Sequence, residues 1–151
     1  MKNRHKKIVK ALTVVSKQRS MELEIAKSDA KRANLIVQEA EDNINKVKSV
    51  VTELEKSVRD TCESGTGFSV QDLVMYRVYL DSKQQDLELA RINRNQAVKA
   101  RDEVVENLQN VNRQLKLVDR TKENRQKQLQ ATLQKYIALV NDELCTKYKR
   151  T

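Results

Sequence analysis

The sequence has no proline, no tryptophan, a single phenylalanine and only two glycines among its 151 residues. Because proline is the residue that breaks helices most strongly, no stretch of this chain is barred from forming a helix. Aromatic residues make up only 3% of the chain, and a globular core of this size normally uses more large apolar side chains. Charged residues make up 34%, which together with abundant Gln, Ala, Val and Leu is typical of long helices.

The residue types that usually carry chemistry are also scarce. His5 is the only histidine, and no group of His, Cys and carboxylate residues has the spacing of a metal site. Both glycines fall in one short segment, so there is no glycine-rich phosphate loop. Acid pairs such as Glu53 and Glu55 lie on solvated helix faces without a concave pocket. We therefore expect no enzyme activity, no cofactor and no metal.

Cysteine usage and hydropathy bear on the compartment. Cys62 and Cys145 are far apart and follow no secretory signal, which favours free thiols in a reducing compartment. The basic N-terminus leads into an apolar run that Lys10 interrupts and that is too short for a signal peptide. No apolar run approaches the ~20 residues that a membrane span needs. The sequence thus predicts a cytoplasmic protein that does not insert into a membrane.

A heptad repeat fills the first half of the chain. Apolar residues follow an unbroken 3-4-3-4 spacing, which is hard to obtain by chance over this length. A strict seven-residue repeat implies a left-handed supercoil with a partner helix. The repeat weakens toward the N-terminus, where the same spacing meets more polar residues. The seam residues are Leu23, Ala26, Ala30, Ala33, Val37, Ala40, Ile44, Val47, Val51, Leu54 and Val58.

The only break in the helical pattern lies near the two glycines. Gly65 suits the left-handed residue that ends a helix. Ser69 is a favourable N-cap with Asp72 three residues later, and Phe68 and Leu73 flank the cap as a hydrophobic staple. These signals predict a first helix at about 3–61, a turn at about 62–69 and a second helix at about 70–148.

The second half resumes the heptad, with Lys83, Arg94 and Arg101 at seam positions. Helices joined by so short a turn are antiparallel. The chain is therefore predicted to be all-α, a single domain over residues 1–151 that forms a long antiparallel two-helix coiled-coil hairpin with unequal arms. A long Arg stem can lie across such a seam with its head in water, so these cations need no functional explanation.

We expect Val58 to face Leu73 across the turn, so that the numbers of any two residues facing each other in α-helical segments of the hairpin add up to about 131. In this register the first helix ends near residue 126 of the second, and roughly 20 residues at the C-terminus have no intramolecular partner. An apolar stripe in that segment is a candidate surface for a partner or for self-association through 129–144. It consists of Leu129, Leu133, Tyr136, Val140 and Leu144.

The net charge of +9 is concentrated in two blocks. Residues 1–20 carry seven basic residues and no acid, and residues 113–127 carry six basic and two acidic residues. An antiparallel hairpin places the blocks side by side, where they suit an acidic protein surface, a nucleic-acid phosphate or solvent alone. No aromatic residue or recognition motif accompanies them, so nucleic acid is not expected. The candidate residues are Lys6, Lys7, Lys10, Arg120, Lys122 and Arg125.

Aromatic residues cluster just after the turn. Tyr76 lies on the seam and is expected to belong to the core, whereas Tyr79 points away from it. Exposed aromatic residues at the end of a hairpin are suitable anchors for another protein. The candidate residues at this tip are Phe68, Met75, Tyr76 and Tyr79.

The tip sequence carries a family resemblance. The segment from Ser69 to Leu80, SVQDLVMYRVYL, followed by a long helix rich in Gln, Glu and Arg, resembles the type III secretion stalk proteins, YscO of injectisomes and FliJ of flagella. The basic N-terminus that runs directly into a heptad helix is also similar to that family. The resemblance covers the whole chain in length and layout, and Tyr76 and Tyr79 match the family's Y-x-x-Y/F-L pattern.

The resemblance implies a partner set. Family members are cytoplasmic coiled coils that dock in the hexameric export ATPase, contact the export gate and bind export chaperones. Carried onto this chain, the basic end would face the ATPase and the tip would face the gate, at the periphery of the inner-membrane secretion apparatus. The C-terminal tail departs from the family in lacking a strong acidic run. A generic coiled-coil scaffold and a basic nucleic-acid-binding coiled coil are the alternatives.

Overall fold

A computed structural model describes residues 2–65, 67 and 69–149. Two α-helices make up nearly all of this described chain, α1 over Lys2–Glu63 and α2 over Val70–Lys149. They have 62 and 80 residues, and no strand occurs in the described ranges. The predicted all-α hairpin of two packed helices is confirmed, and the predicted helix bounds agree with the observed ones to within about two residues.

The chain divides into two compact units, each built from a segment of both helices. Unit 1 comprises Met1–Lys27 and Asn107–Thr151, and unit 2 comprises Ser28–Glu106, which includes the turn. The prediction of a single domain over residues 1–151 stays a prediction.

The core of unit 2 follows the heptad seam. Ala30, Val37, Ile44 and Ala90 are buried, and the other α1 seam residues from Ala33 to Val58 are half-buried. The half-buried residues are covered from one side only, because two helices alone cannot enclose every seam side chain. Each of these half-buried residues therefore contributes less than the roughly 1.5–3 kcal/mol of a fully buried aliphatic side chain.

The cationic seam residues lie along the interface as the sequence predicts. Arg94 and Arg101 are half-buried. Their guanidinium groups donate hydrogen bonds to the exposed neighbours Asn95 and Asp102, at 3.2 Å in each case for Nη2. The Nζ atom of Lys83 lies 3.5 Å from a carboxylate oxygen of Asp86. These contacts draw the ends of the three side chains toward solvent while the stems cover the seam. The Nε atom of Arg94 is nevertheless buried at the seam without a hydrogen-bond partner among the described residues.

The axial register differs from the predicted one. In unit 1 the Ser16 hydroxyl donates a 2.7 Å hydrogen bond to Asp119, so partner numbers sum to 135 there instead of about 131. In unit 2 Val58 shares a groove with Tyr76 and Tyr79, and Leu73 is 45% exposed. The predicted pairing of Val58 with Leu73 is therefore wrong. The offset is close to one helical turn, which leaves the same faces in contact.

The turn has the geometry that its residues predict. Gly65 has φ of 73°, and the Ser64 N–H donates to the carbonyl of Asp60 at 3.0 Å. Ser69 caps α2 reciprocally: the Asp72 N–H donates to the Ser69 hydroxyl at 3.1 Å, and the Ser69 N–H donates to the Asp72 carboxylate at 3.3 Å. Phe68, the other half of the predicted staple, lies outside the described residues.

We expect Ser69→Ala to lower the free energy of unfolding by about 1 kcal/mol, because the Asp72 N–H at the start of α2 loses its hydroxyl acceptor, while the Ser69 N–H keeps the Asp72 carboxylate. A urea titration followed by circular dichroism measures the loss, and hydrogen exchange should be faster in the first turn of α2. Ser28→Ala, at an exposed position within α1, is the control and should be neutral or slightly stabilising. Equal effects of the two changes would contradict the capping role.

Candidate protein-binding surfaces

The basic residues of the two sequence blocks come together in unit 1. By the Ser16–Asp119 register, Lys10 lies beside Arg125, which packs half-buried at a seam position. Lys122 is also half-buried at the seam. Exposed cations surround them and, within the described residues, make no ion pair with a carboxylate. These exposed members are Lys6, Lys7, Lys10 and Arg120.

Charge is segregated between the two units. Unit 1 carries 18 Lys or Arg against six Asp or Glu, a net charge of +12, and unit 2 carries 12 against 15, a net charge of −3. The excess charge in unit 1 is distributed over both of its helical segments. Such a surface attracts an anionic partner, and screening limits this attraction to about 8–10 Å at physiological ionic strength.

The first turns of α2, next to the turn between the helices, expose aliphatic as well as aromatic side chains. Met75 and Tyr79 are exposed, while Tyr76 is half-buried on the seam, as predicted for a core residue. The Nζ atom of Lys83 lies 5.4 Å from the centroid of the Tyr79 ring, a cation–π contact that orients the ring. Phe68, the fourth predicted tip residue, lies outside the described residues.

Three valines belong to the same surface and are missing from the sequence-based candidates. Val70, Val74 and Val78 are exposed and recur at every fourth residue along the first turns of α2. This spacing is visible in the sequence and could have identified them. We define the tip patch as Val70, Val74, Met75, Val78 and Tyr79. A contiguous exposed apolar patch of this kind indicates a binding surface more strongly than single exposed residues do.

The C-terminal stripe is covered in its first part and exposed in the rest. Leu129 and Leu133 are half-buried, so the expectation that they lack intramolecular cover is wrong. The observed register brings the start of α1 beside residue 133, beyond the predicted end near residue 126, which explains the cover. Every described side chain from 134 to 149 is exposed, including Tyr136, Val140 and Leu144. Ile137 and Tyr148 are also exposed there and extend the stripe.

A further apolar stripe lies on the outer side of α1 in unit 1. Val14, Met21 and Ile25 are exposed and recur at seven- and four-residue intervals, opposite the seam. Sequence reasoning missed this stripe because the stronger heptad seam runs through the same helix. These side chains add apolar area to a unit that is otherwise dominated by cations.

The described part of the chain offers little for metal binding, disulfide formation or membrane insertion. No group of His, Cys, Asp and Glu residues in these ranges is placed to hold a metal ion. Cys62 and Cys145 are both exposed and form no disulfide. Over the residues that the structure describes, neither helix has a stretch long and apolar enough to cross a membrane. The grooves are shallow surface features of the helices.

Comparison with known proteins gives no match to a family model, to a curated protein or to a solved structure. The assignment of function therefore depends on the surfaces described above and on the resemblance in the tip segment.

Proposed function

We propose that this protein is a cytoplasmic stalk component of a type III secretion apparatus, which binds the export ATPase ring, contacts the export gate and engages export chaperones. The proposal is supported chiefly by two chemically different surfaces on one helical hairpin, a basic surface in unit 1 and the tip patch in unit 2. Two unlike surfaces are suited to binding two different proteins, whereas a plain scaffold needs only one.

The basic surface suits the ATPase ring if the ring presents acidic residues at its centre. Exposed Lys side chains without ion pairs stay hydrated until a partner arrives, and their field accelerates the encounter. The half-buried Lys122 and Arg125 are held by the seam and so present their charges at defined positions. Affinity for the ring is then expected to fall as the salt concentration rises.

The tip patch suits the export gate or a chaperone. Met75 is flexible and adapts to irregular surfaces, and Tyr79 combines a large apolar ring with a polar hydroxyl. Residues of these types often contribute most of the binding free energy at protein interfaces. The resemblance of this segment to the secretion stalk proteins concerns the same residues.

A binding experiment with the purified export ATPase of the same organism tests the proposal. We expect the full chain to co-purify with the ATPase and to change its hexamer fraction or its rate of ATP hydrolysis. Absence of binding together with unchanged oligomerisation and hydrolysis would contradict the proposal. Binding to duplex DNA at about 50 mM salt, without binding to the ATPase, would instead support the nucleic-acid alternative.

A further inference from the structure

The exposed C-terminal part of α2 has its own heptad phase. The seam that faces α1 includes Lys122, Arg125 and Leu129, and continuing its spacing leads to Thr132 and Tyr136. The large aliphatic residues instead follow a path that is shifted by one residue. These residues are Leu133, Ile137, Val140 and Leu144. One residue is about 100° around a helix, so their path turns away from the α1 seam and borders it only at Leu133, which is half-buried.

This second face has a palindromic pattern. Leu133 and Leu144 are equidistant from a point between Ala138 and Leu139, and so are Ile137 and Val140. Leu129, the last half-buried residue of the α1 seam, and Tyr148 form a third pair about the same point, at the two ends of this face. We define these six residues as the palindromic face. A two-fold axis perpendicular to the helix at that point superposes the pattern on itself, which is the requirement for an antiparallel interface between two identical helices.

We infer that the palindromic face binds the same face of a second copy of the chain, with the two helices antiparallel. Leu133 of each copy then packs against Leu144 of the other, and Ile137 packs against Val140. Residues beside this seam are compatible, because Gln134 faces Asn141 and Tyr136 faces Glu143 of the other copy. No like charges are opposed across the seam between residues 133 and 144.

Charge decides between the antiparallel and the parallel arrangement. A parallel dimer would bring unit 1 of one copy, with its net charge of +12, beside unit 1 of the other copy. In the antiparallel dimer, Arg125 of one copy is about 40 Å along the axis from Arg125 of the other, at 1.5 Å per residue. That separation is several Debye lengths at physiological ionic strength, so repulsion between the two copies of Arg125 is screened, and among the described residues only Lys147 and Lys149 of one copy approach Lys127 of the other.

The size of the interface predicts a weak dimer. Twelve side chains, six from each copy, at roughly 100 Å² each would cover about 1,200 Å², the lower end of the range for specific interfaces. Leu129 and Leu133 are already half-buried and contribute less. We therefore expect dissociation in the micromolar range. The inference is independent of the proposed secretion function, since a dimer would form whether or not an export ATPase binds.

Sedimentation equilibrium of the full chain tests the dimer. The average mass should rise from that of one copy toward that of two between about 1 and 100 μM. Ile137→Asp should keep the chain monomeric over this range, because it puts two carboxylates near the two-fold axis. Leu139→Asp is the matched control: Leu139 is 64% exposed, Ile137 is 57% exposed, and Leu139 lies off the palindromic face. A monomeric wild-type chain, or equal dissociation by both variants, would overturn the inference.

Chemical cross-linking tests the orientation. Gln134→Cys and Asn141→Cys are prepared separately in a background where Cys62 and Cys145 are replaced by Ser. With a bismaleimide of about 8 Å reach, an antiparallel dimer should cross-link efficiently only when the two variants are mixed. Two copies of residue 134 are about 13 Å apart along the axis in that arrangement. Efficient cross-linking of Gln134→Cys alone would show a parallel dimer, and absence of any cross-link would contradict this interface.

Discussion

Replacing Ile44 with aspartate is expected to lower the free energy of unfolding by about 4 kcal/mol. Ile44 is 6% exposed in the seam of unit 2. The substitution removes a buried aliphatic side chain and places a carboxylate without a partner between two helices, and each of these changes is costly by itself. A urea titration followed by far-ultraviolet circular dichroism should show a lower midpoint with an unchanged slope.

Ile25→Asp is the matched control for this experiment. It makes the same chemical change on the same helix, at a residue that is 63% exposed on the outer side of α1. Its effect should stay within about 0.5 kcal/mol. Val47→Asp, at a half-buried seam position, should fall between the two. If Ile25→Asp destabilised the chain as much as Ile44→Asp, the assignment of seam and outer face would be wrong.

The second large effect concerns the basic surface. Replacing Lys6, Lys7 and Lys10 with glutamate lowers the net charge of unit 1 from +12 to +6. We expect binding to the export ATPase to weaken about tenfold or more, mainly through a slower association rate. All three side chains are exposed, so the fold should be unaffected. Association kinetics at two salt concentrations measure the effect, which should shrink as salt screens the charges.

A second triple variant with the same change in net charge shows whether the position of the replaced lysines or only the net charge of the chain affects binding. Lys46, Lys48 and Lys56 are exposed on α1 within unit 2, and their replacement by glutamate also removes six units of charge. Binding of this triple variant should stay close to that of the wild type. Equal losses in both variants would mean that only the net charge matters. No loss in either would argue against the proposed ATPase-facing role of Lys6, Lys7 and Lys10.

Local signals in the sequence predicted most of the fold. The bounds of α1 and α2 follow from the apolar spacing, the left-handed Gly65 and the cap at Ser69, because each signal acts within one or two turns of chain. The seam of α1 was predicted for the same reason. A seven-residue repeat determines which side of a helix is buried, whatever the partner helix is.

The surfaces were less well predicted. The six cations of the basic surface were found from charge alone, and the structure collects them in unit 1. The tip valines Val70, Val74 and Val78 are missing from the sequence-based candidates because those candidates were chosen around the aromatic residues, not by four-residue spacing. Ile137 was omitted from the C-terminal candidates because the neighbouring Tyr136 was assigned its place in the stripe.

The sequence by itself determined that this chain forms two long helices, where they turn, and which faces they bury. Only the tertiary structure decided the axial register, which pairs Ser16 with Asp119 and covers Leu129 and Leu133. The physical reason is the helical repeat. Sliding one helix past the other by a turn of 3.6 residues restores nearly the same seam, so the heptad pattern cannot distinguish the two registers. The choice depends on the packing of particular side chains across the seam.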